Sequence, residues 1–496
     1  MVNNKKSFFS LCAVYLLLGV FALLSQSSNN SSNPAQIASD GAPTRYEAWV
    51  EFLDKGVKSA KQREEILAGL ERSFDPRALE RRRKRRTLPG LFDERDIPIA
   101  EEYLKGVAAS GADLMAISRW FNGVVVQASA EELKKIIVLP FVKEVGNYHV
   151  PRRTGRYQSL PENPADVHRG PLQGEESFYG RAEIQTKQIG LDRLHRAGFT
   201  GRDVVVAVID TGFDLAHHAF NHPEHPIKVI AQWDFMDNDK IVSPEPKDLP
   251  LQHTHGTYVL GNIASYVPGV LVGSAFEASY VLCKAEDDAE EYLLEERWFV
   301  AALEYAESHG ADVITSSLGL YTGYLQEQLD GKTSVMVQGW NLAVANGVIG
   351  IQGGGNFGHD DDPRTHHLFP PADGIGVIAV GAVDSDGHIA RFSSDGPTVD
   401  GRLKPEVLAC GAGVWTISIS DREGYVHGAG TSMAAPIMAG AVACILQANP
   451  GWTVTRLRES LFHSGDYFRA HGQPDPLFIR GYGIPDVFVA ADLKNE

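Results

Sequence analysis

Beyond Gly201 the chain alternates short, continuously apolar runs with helical stretches, and this pattern constrains the fold more than any other feature of its 496 residues. Val204–Ile209, Ser279–Cys283, Val313–Ser316, Val348–Gln352 and Val377–Val383 read as strands. Trp298–Ser308 and Val335–Ala345 read as helices, stopped by Gly310 and Gly347. Strands that are apolar at every position are buried on both faces, which predicts an α/β fold with a parallel sheet covered by helices. In such a sheet, functional side chains gather at strand C-termini and on the loops that follow.

The front of the chain is patterned differently. Strands over Tyr46–Leu53, Leu114–Phe121, Val124–Ala128 and Phe141–Asn147, with helices over Ile99–Ala109 and Ala130–Val138, give a βαββαβ order. That order predicts a small ferredoxin-like α+β domain over residues 44–150. Within it the run Arg81-Arg-Arg-Lys-Arg-Arg86 is expected to be an exposed, protease-sensitive insertion; it lacks the aromatic and fold context of a nucleic-acid site. Residues 151–177, rich in Arg, Gly and Pro, read as a linker, and 178–492 as the larger domain. Residues 1–150 carry 21 Lys/Arg against 18 Asp/Glu, and the remainder 25 against 45. An acidic back half argues against nucleic acid as its partner.

Lys5 and Lys6 precede an apolar run from Phe8 to Leu24, the pattern of a secretory signal over residues 1–27, and export follows. The run is 17 residues long, so an uncleaved anchor is the alternative, and membrane contact is expected only through this segment. Cys283, Cys410 and Cys444 form neither a disulfide framework nor a zinc spacing.

The chemistry-bearing residues lie where a parallel sheet would present them. Asp210 closes the strand that ends at Ile209, and His255 stands at the start of a helical stretch. Ser432, in Gly428-Ala-Gly-Thr-Ser432-Met-Ala-Ala-Pro436, opens a helix of small and apolar residues running to Leu446. Acyl transfer needs a nucleophile, an imidazole that takes and returns its proton, and a carboxylate that orients the imidazole. Asn356, in Gly353-Gly354-Gly355-Asn356, follows another strand, so its amide can face a forming oxyanion. The same run satisfies G-x-G-x-x-G, but His-Asp-Asp-Asp follows in place of a helix, which is poor context for a dinucleotide.

Asp210-Thr-Gly, His255-Gly-Thr, Ser317-Leu318-Gly319, Gly355-Asn356 and Gly430-Thr-Ser432-Met-Ala-Ala-Pro436 resemble, in order, the motifs of the subtilisin-like serine proteases, or subtilases. The resemblance implies a seven-stranded parallel core and a secreted, self-processed serine endopeptidase acting on protein or peptide substrates. It implies that Asp210 orients, His255 is the base, Ser432 attacks, and Asn356 with the Ser432 N–H forms the oxyanion hole. Ser317, Leu318 and Gly319 would be the edge to which substrate adds a strand, and Gly353, Gly354 and Gly355 would line the pocket for the residue before the cut. Residues 99–150 resemble the family's propeptide by pattern and position, implying that the chain carries its own intramolecular inhibitor. Tyr258, where many relatives have a second His, and Gln352 are departures, and Pro370-Pro371 matches a cis bond of some relatives.

Other features have plainer readings. His217-His218, His366-His367 and His253 lack metal-ligand spacing and are expected at the surface, and no cofactor is implied. The seven acidic residues between Glu286 and Glu296 read as a solvated helix start. They and Asp360–Asp362 could alternatively bias subsites toward Lys/Arg or bind Ca²⁺. The competing functional class is a catalytically silent relative acting as a binding module, which the four retained polar residues count against. An esterase of the α/β-hydrolase kind would need G-x-S-x-G and the order Ser, Asp, His, and the chain has neither.

Overall fold

The computed structural model describes residues 45–150, 161–172, 177–288, 290–320 and 323–493. The signal-like segment 1–27 and residues 151–160 of the expected linker lie outside the described residues.

The front sheet contains β1 (Arg45–Phe52), β2 (Asp113–Ser118), β3 (Gly123–Ser129) and β4 (Val142–His149). Its helices are α1 (Ala60–Ser73), α2 (Pro76–Arg85), α3 (Glu101–Ala108) and α4 (Ala130–Ile136). The strands pair antiparallel in the order β2-β3-β1-β4, the ferredoxin-like arrangement expected from the βαββαβ order. Ser129 caps α4 in a reciprocal box with Glu132, so a polar residue closes β3 and opens the helix in one step.

The expected exposed insertion is instead an ordered helix. Asp75 caps α2 through the N–H groups of Arg77 and Ala78, and Pro76 occupies the first turn. Arg81, Arg82 and Arg85 are buried. Sequence reasoning failed here because a run of cations is read as solvated unless its counter-charges are known, and two of those that bury it, Glu307 and Asp312, lie more than 200 residues away.

After the short β5 (His168–Arg169) come α5 (Glu183–Gln188), α6 (Leu191–Arg196), β6 (Val205–Asp210), β7 (Lys228–Asp234) and α7 (Thr254–Ala264). The hairpin β8 (Tyr266–Val267) and β9 (Leu271–Val272) precedes β10 (Ser279–Lys284), α8 (Glu295–Ser308) and β11 (Val313–Ser316). Then follow α9 (Val335–Ala345), β12 (Ile349–Gly353), β13 (Ile378–Val383), β14 (Val407–Cys410), β15 (Ala412–Ile417), β16 (Gly424–Ala429) and α10 (Thr431–Ala448). Seven strands form one parallel sheet in the order β14-β13-β12-β11-β6-β10-β7. One face is covered by α10, α7 and α6, and the other by α8 and α9. The second core also takes in Trp49, Ala116, Trp120 and Val125, so the front sheet packs its apolar face on α8.

Three further expectations are corrected, one by pairing and two by burial. Residues 161–172, read as linker, pack on the larger body: β5 pairs with β16, and Glu162 accepts hydrogen bonds from Tyr258 Oη (2.6 Å), Ile419 N (2.8 Å) and Ser418 Oγ (2.5 Å). Glu286, Asp287, Asp288, Glu295 and Glu296 are buried rather than solvated, because the front sheet covers the start of α8. His217 is buried as well, its Nε2 bonded to Gly424 O at 3.0 Å, and burial lowers its pKa to about 4. Pro370-Pro371 is cis, as are Gly396-Pro397 and Lys404-Pro405.

Candidate active site

The C-terminal edge of the sheet collects the expected polar residues. Asp210 is the last residue of β6 and is fully buried. Its Oδ1 accepts from Thr211 N at 2.8 Å and faces His255 Nδ1 at 2.7 Å. Its Oδ2 is buried and has no hydrogen bond among the described residues. An under-solvated carboxylate favours a cation beside it. Burial lowers the His255 pKa, but the attraction and hydrogen bond of Asp210 outweigh it, and the net shift is upward. A Cβ on the neighbouring Gly256 would lie 2.3 Å from Gly212 O and 3.0 Å from Asp210 Cβ, so only glycine lets α7 bring the imidazole this close.

Ser432 sits in the first turn of α10, whose start leaves backbone N–H groups unpaired within the helix. Gly430, at φ +141°, turns the chain from β16 into this helix. A Cβ there would lie 2.7 Å from Ser432 Oγ and 3.6 Å from Asn356 Nδ2. The bare face of Gly430 therefore lies between a hydroxyl and an amide, in a space a methyl group would fill. Asn356 Oδ1 accepts from Thr431 N (2.9 Å) and Thr431 Oγ1 (3.2 Å), which turns Nδ2 toward that space. Thr431 Oγ1 also accepts from Gly355 N at 3.0 Å.

The hydrogen bonds thus join Asp210 to His255, and Asn356 to the residue before Ser432. His255 and Ser432 sit on the first turns of α7 and α10, which pack against each other and are linked by Asn262 Nδ2 to Met433 Sδ at 3.5 Å. Among the described residues no hydrogen bond joins Ser432 Oγ to His255. Such contacts commonly tighten only when substrate is bound.

The expected substrate edge leaves β11 at Ser316. Ser317 Oγ donates to Ser432 O at 3.2 Å, tying this edge to the helix start. Gln352, noted in the sequence as a departure, donates to Leu318 O at 2.7 Å and accepts from Trp340 Nε1 at 3.3 Å. With Leu318 O engaged inward, the alternation of an extended chain turns the backbone of Ser317 and Gly319 outward. Gly319 admits no side chain, since a Cβ would overlap the Phe369 ring. A Cβ on Gly353 would lie 3.7 Å from both Ser317 Cα and Ser432 N, so its hydrogen borders the gap between edge and nucleophile. Gly354 N donates to Val380 O at 2.9 Å.

A pocket opens beside this edge and is lined by Glu286, Glu295, Phe299, Leu318, Gly319 and Met336, two of them from the acidic stretch read either as a solvated helix start or as a group biasing subsites. Glu295 accepts from the N–H groups of Asp287 and Tyr292. The Glu286 carboxylate has no hydrogen bond or ion pair among the described residues, although only 8% of the residue is exposed. Burial and then the charge of Glu295 push the Glu286 carboxyl well above the usual carboxylate range, and burial, with the charges of Glu291 and Asp287, does the same to Glu295. The second acidic group behaves differently: Asp360 accepts from Asp362 N and Thr365 Oγ1, and Asp362 pairs with Arg364, all within one exposed loop.

Comparison with known proteins adds the following. Residues 201–483 match the model of the subtilase family, and residues 47–161 match a peptidase S8 propeptide domain of Bacteroidota. The chain is 33% identical to subtilisin E of Bacillus subtilis over 309 residues, covering 61% of this chain and 70% of that protein. It is also 33% identical to a subtilisin of Bacillus pumilus over 311 residues, covering 96% of that protein and 61% of this chain. Among solved structures, the epidermin leader peptide processing serine protease of Staphylococcus aureus aligns with a TM-score of 0.58 at 16% identity, over 91% of this chain and 99% of that one. Fervidolysin of Fervidobacterium pennivorans aligns at 0.56 and 21%, over 92% and 62%. At these identities the likeness is one of fold.

Proposed function

The chain belongs to the subtilase family and is a subtilisin-like serine peptidase with a propeptide, and on that premise we propose that Ser432, His255 and Asp210 form its catalytic triad in an exported, self-cutting zymogen. The observation that carries the reading is the short Asp210–His255 contact on the sheet edge where Gly430 opens a space between Ser432 Oγ and Asn356 Nδ2. His255 takes the Ser432 proton as Oγ attacks the peptide carbonyl. The new oxyanion is met by Asn356 Nδ2 and the Ser432 N–H, and His255 then protonates the leaving amine. Water repeats the sequence on the acyl-enzyme. A fluorophosphonate should label Ser432 and nothing else; absence of label in folded, processed protein would return the chain to the binding-module reading.

Because neutral imidazole is the base, kcat/KM should fall as pH drops through the His255 pKa. That pKa is raised above its ordinary value of about 6.5, so the acid limb should lie above 6.5. A pH–rate profile with a non-titrating substrate checks this, and an acid limb well below 6.5 would contradict the role given to Asp210.

The cut is proposed within residues 150–161. On its front side β4 ends at His149, whose ring stacks on Tyr292 with centroids 3.5 Å apart. On its other side Glu162 is held by four residues of the larger body. Front domain 44–150 would then be the inhibitor, and the mature enzyme would begin ahead of Glu162. Export is proposed from the signal-like residues 1–27.

The pocket at Glu286 and Glu295 supports a preference for Lys or Arg at one position before the cut, since a cation would relieve a buried, unpartnered carboxylate. A hydrogen bond to a charged group contributes about 1.5–3 kcal/mol, or roughly 10–100-fold in selectivity. Peptide libraries profiled with wild type and Glu286→Gln read this directly. An identical basic preference in both proteins would take the role away from Glu286.

A further inference from the structure

The face of the peptidase body remote from the catalytic edge is electronegative by construction. In a parallel α/β sheet the helices run against the strands, so the C-terminal ends of α8, α9 and α10 converge where the strands begin. Unpaired carbonyls give such helix ends partial negative charge. Here one short helix of the propeptide, α2, together with the two residues that follow it, reaches all three. Arg81 Nη1 donates to Glu307 O (3.0 Å) and Ala311 O (2.7 Å), closing the end of α8. Thr87 N donates to Ala345 O at 2.9 Å, and Arg86 to Asn346 Oδ1, at the end of α9. Arg85 Nε donates to Trp452 O at 3.0 Å, just past α10.

Two carboxylates complete the seat. Glu307, with its side chain fully buried, takes a two-pronged contact from Arg82, Nε to Oε1 and Nη2 to Oε2, both at 2.8 Å, and a further bond from Arg81. These guanidinium groups hold its pKa at about 2 against the effect of burial. Asp312, directly before β11, pairs with Arg85 at 3.0 Å and with Arg77 at 3.4 Å. Planar, forked donors suit such a seat, and a point charge of lysine type would satisfy fewer of its acceptors.

We propose that α2 and the seat formed by Glu307, Asp312 and the ends of α8, α9 and α10 are a second attachment point that keeps the propeptide on the peptidase body after the linker has been cut. The inference rests on the reading that residues 44–150 are an inhibitor severed within 150–161. It adds where, away from the cleft, the severed domain is held. None of these contacts involves the cleft, so withdrawal of the cut tail leaves all of them in place. Leaving the seat breaks the forked Arg82 contact and the Arg81 bond of Glu307 together with the Arg85 pairing of Asp312, and exchanges them for water.

The test uses the full chain carrying Ser432→Ala and a site-specific protease sequence at residues 151–156, so that the cut is made to order. After cutting, the propeptide of this parent should co-elute with the body on gel filtration at physiological salt. Adding R81A with R82A should weaken retention tenfold or more, measured by the dilution at which half the propeptide is lost. R85A leaves the Glu307 partners Arg81, Arg82 and Arg119 in place and should weaken retention in the same direction, which keeps the test decisive if the double variant does not fold. Retention unchanged in the folded variants would overturn the proposal. Failure of the wild type to cut itself would overturn the self-processing reading and leave this outcome untouched.

Discussion

Ser432→Ala should lower kcat by about 10⁶, the scale known for the nucleophile of subtilisin, and should leave the chain uncut between residues 150 and 161. No neighbouring hydroxyl can take over. Thr431 Oγ1, the nearest in sequence, already accepts from Gly355 N at 3.0 Å and is bonded to Asn356 Oδ1 at 3.2 Å. The fold should survive, because Ser432 Oγ makes no hydrogen bond among the described residues, so its loss strands no partner. Since nucleophile and base act as a unit, His255→Ala should cost about as much, and the double variant little more. Steady-state hydrolysis of a peptide substrate and N-terminal sequencing of the purified protein read both parts. A variant that matures by the same cut as the wild type would show that another protease performs it.

The two sheets were legible in the sequence because each is encoded by its own periodicity. Val205–Asp210 and Ser279–Lys284 are buried at every position, and their strands are interior to the parallel sheet, flanked on both sides. The front domain was legible through its strand-like runs taken in βαββαβ order. The candidate site was legible where chemistry is carried by residue type at a strand end or helix start, as for Asp210, His255 and Ser432. What escaped depends on partners distant in sequence. Gln352 looked like a pocket variation and proves to hold Leu318 O. Tyr258 looked like a lost histidine and proves to bind Glu162 across 96 residues. The arginines of α2 looked solvated because nothing in their neighbourhood announces Glu307, and the acidic residues at 286–296 looked solvated because nothing announces the sheet that covers them. Charge patterning reports local composition, whereas burial of charge is settled by docking.

Asn356→Ala should lower kcat by about 10² to 10³ and leave KM nearly unchanged, the magnitude found for the equivalent donor of subtilisin. The geometry explains why the effect should fall on kcat. Both hydrogen bonds to Asn356 from Thr431 reach Oδ1, an acceptor, so Nδ2 is the atom left for substrate. It faces the bare side of Gly430 with Ser432 Oγ, a space occupied by negative charge only when the carbonyl has been attacked. A donor aimed at charge absent from the ground state stabilises the transition state alone. Removing the side chain also frees Thr431 N at a helix start, at a cost to stability of about 1 kcal/mol. Asn356→Asp separates the two roles: it keeps the acceptor for Thr431 and replaces the donor with negative charge, so it should preserve stability while lowering kcat at least as far. Kinetics and thermal melts on both variants check this. A rise in KM with kcat intact would make Asn356 a residue that positions substrate rather than one that meets the oxyanion.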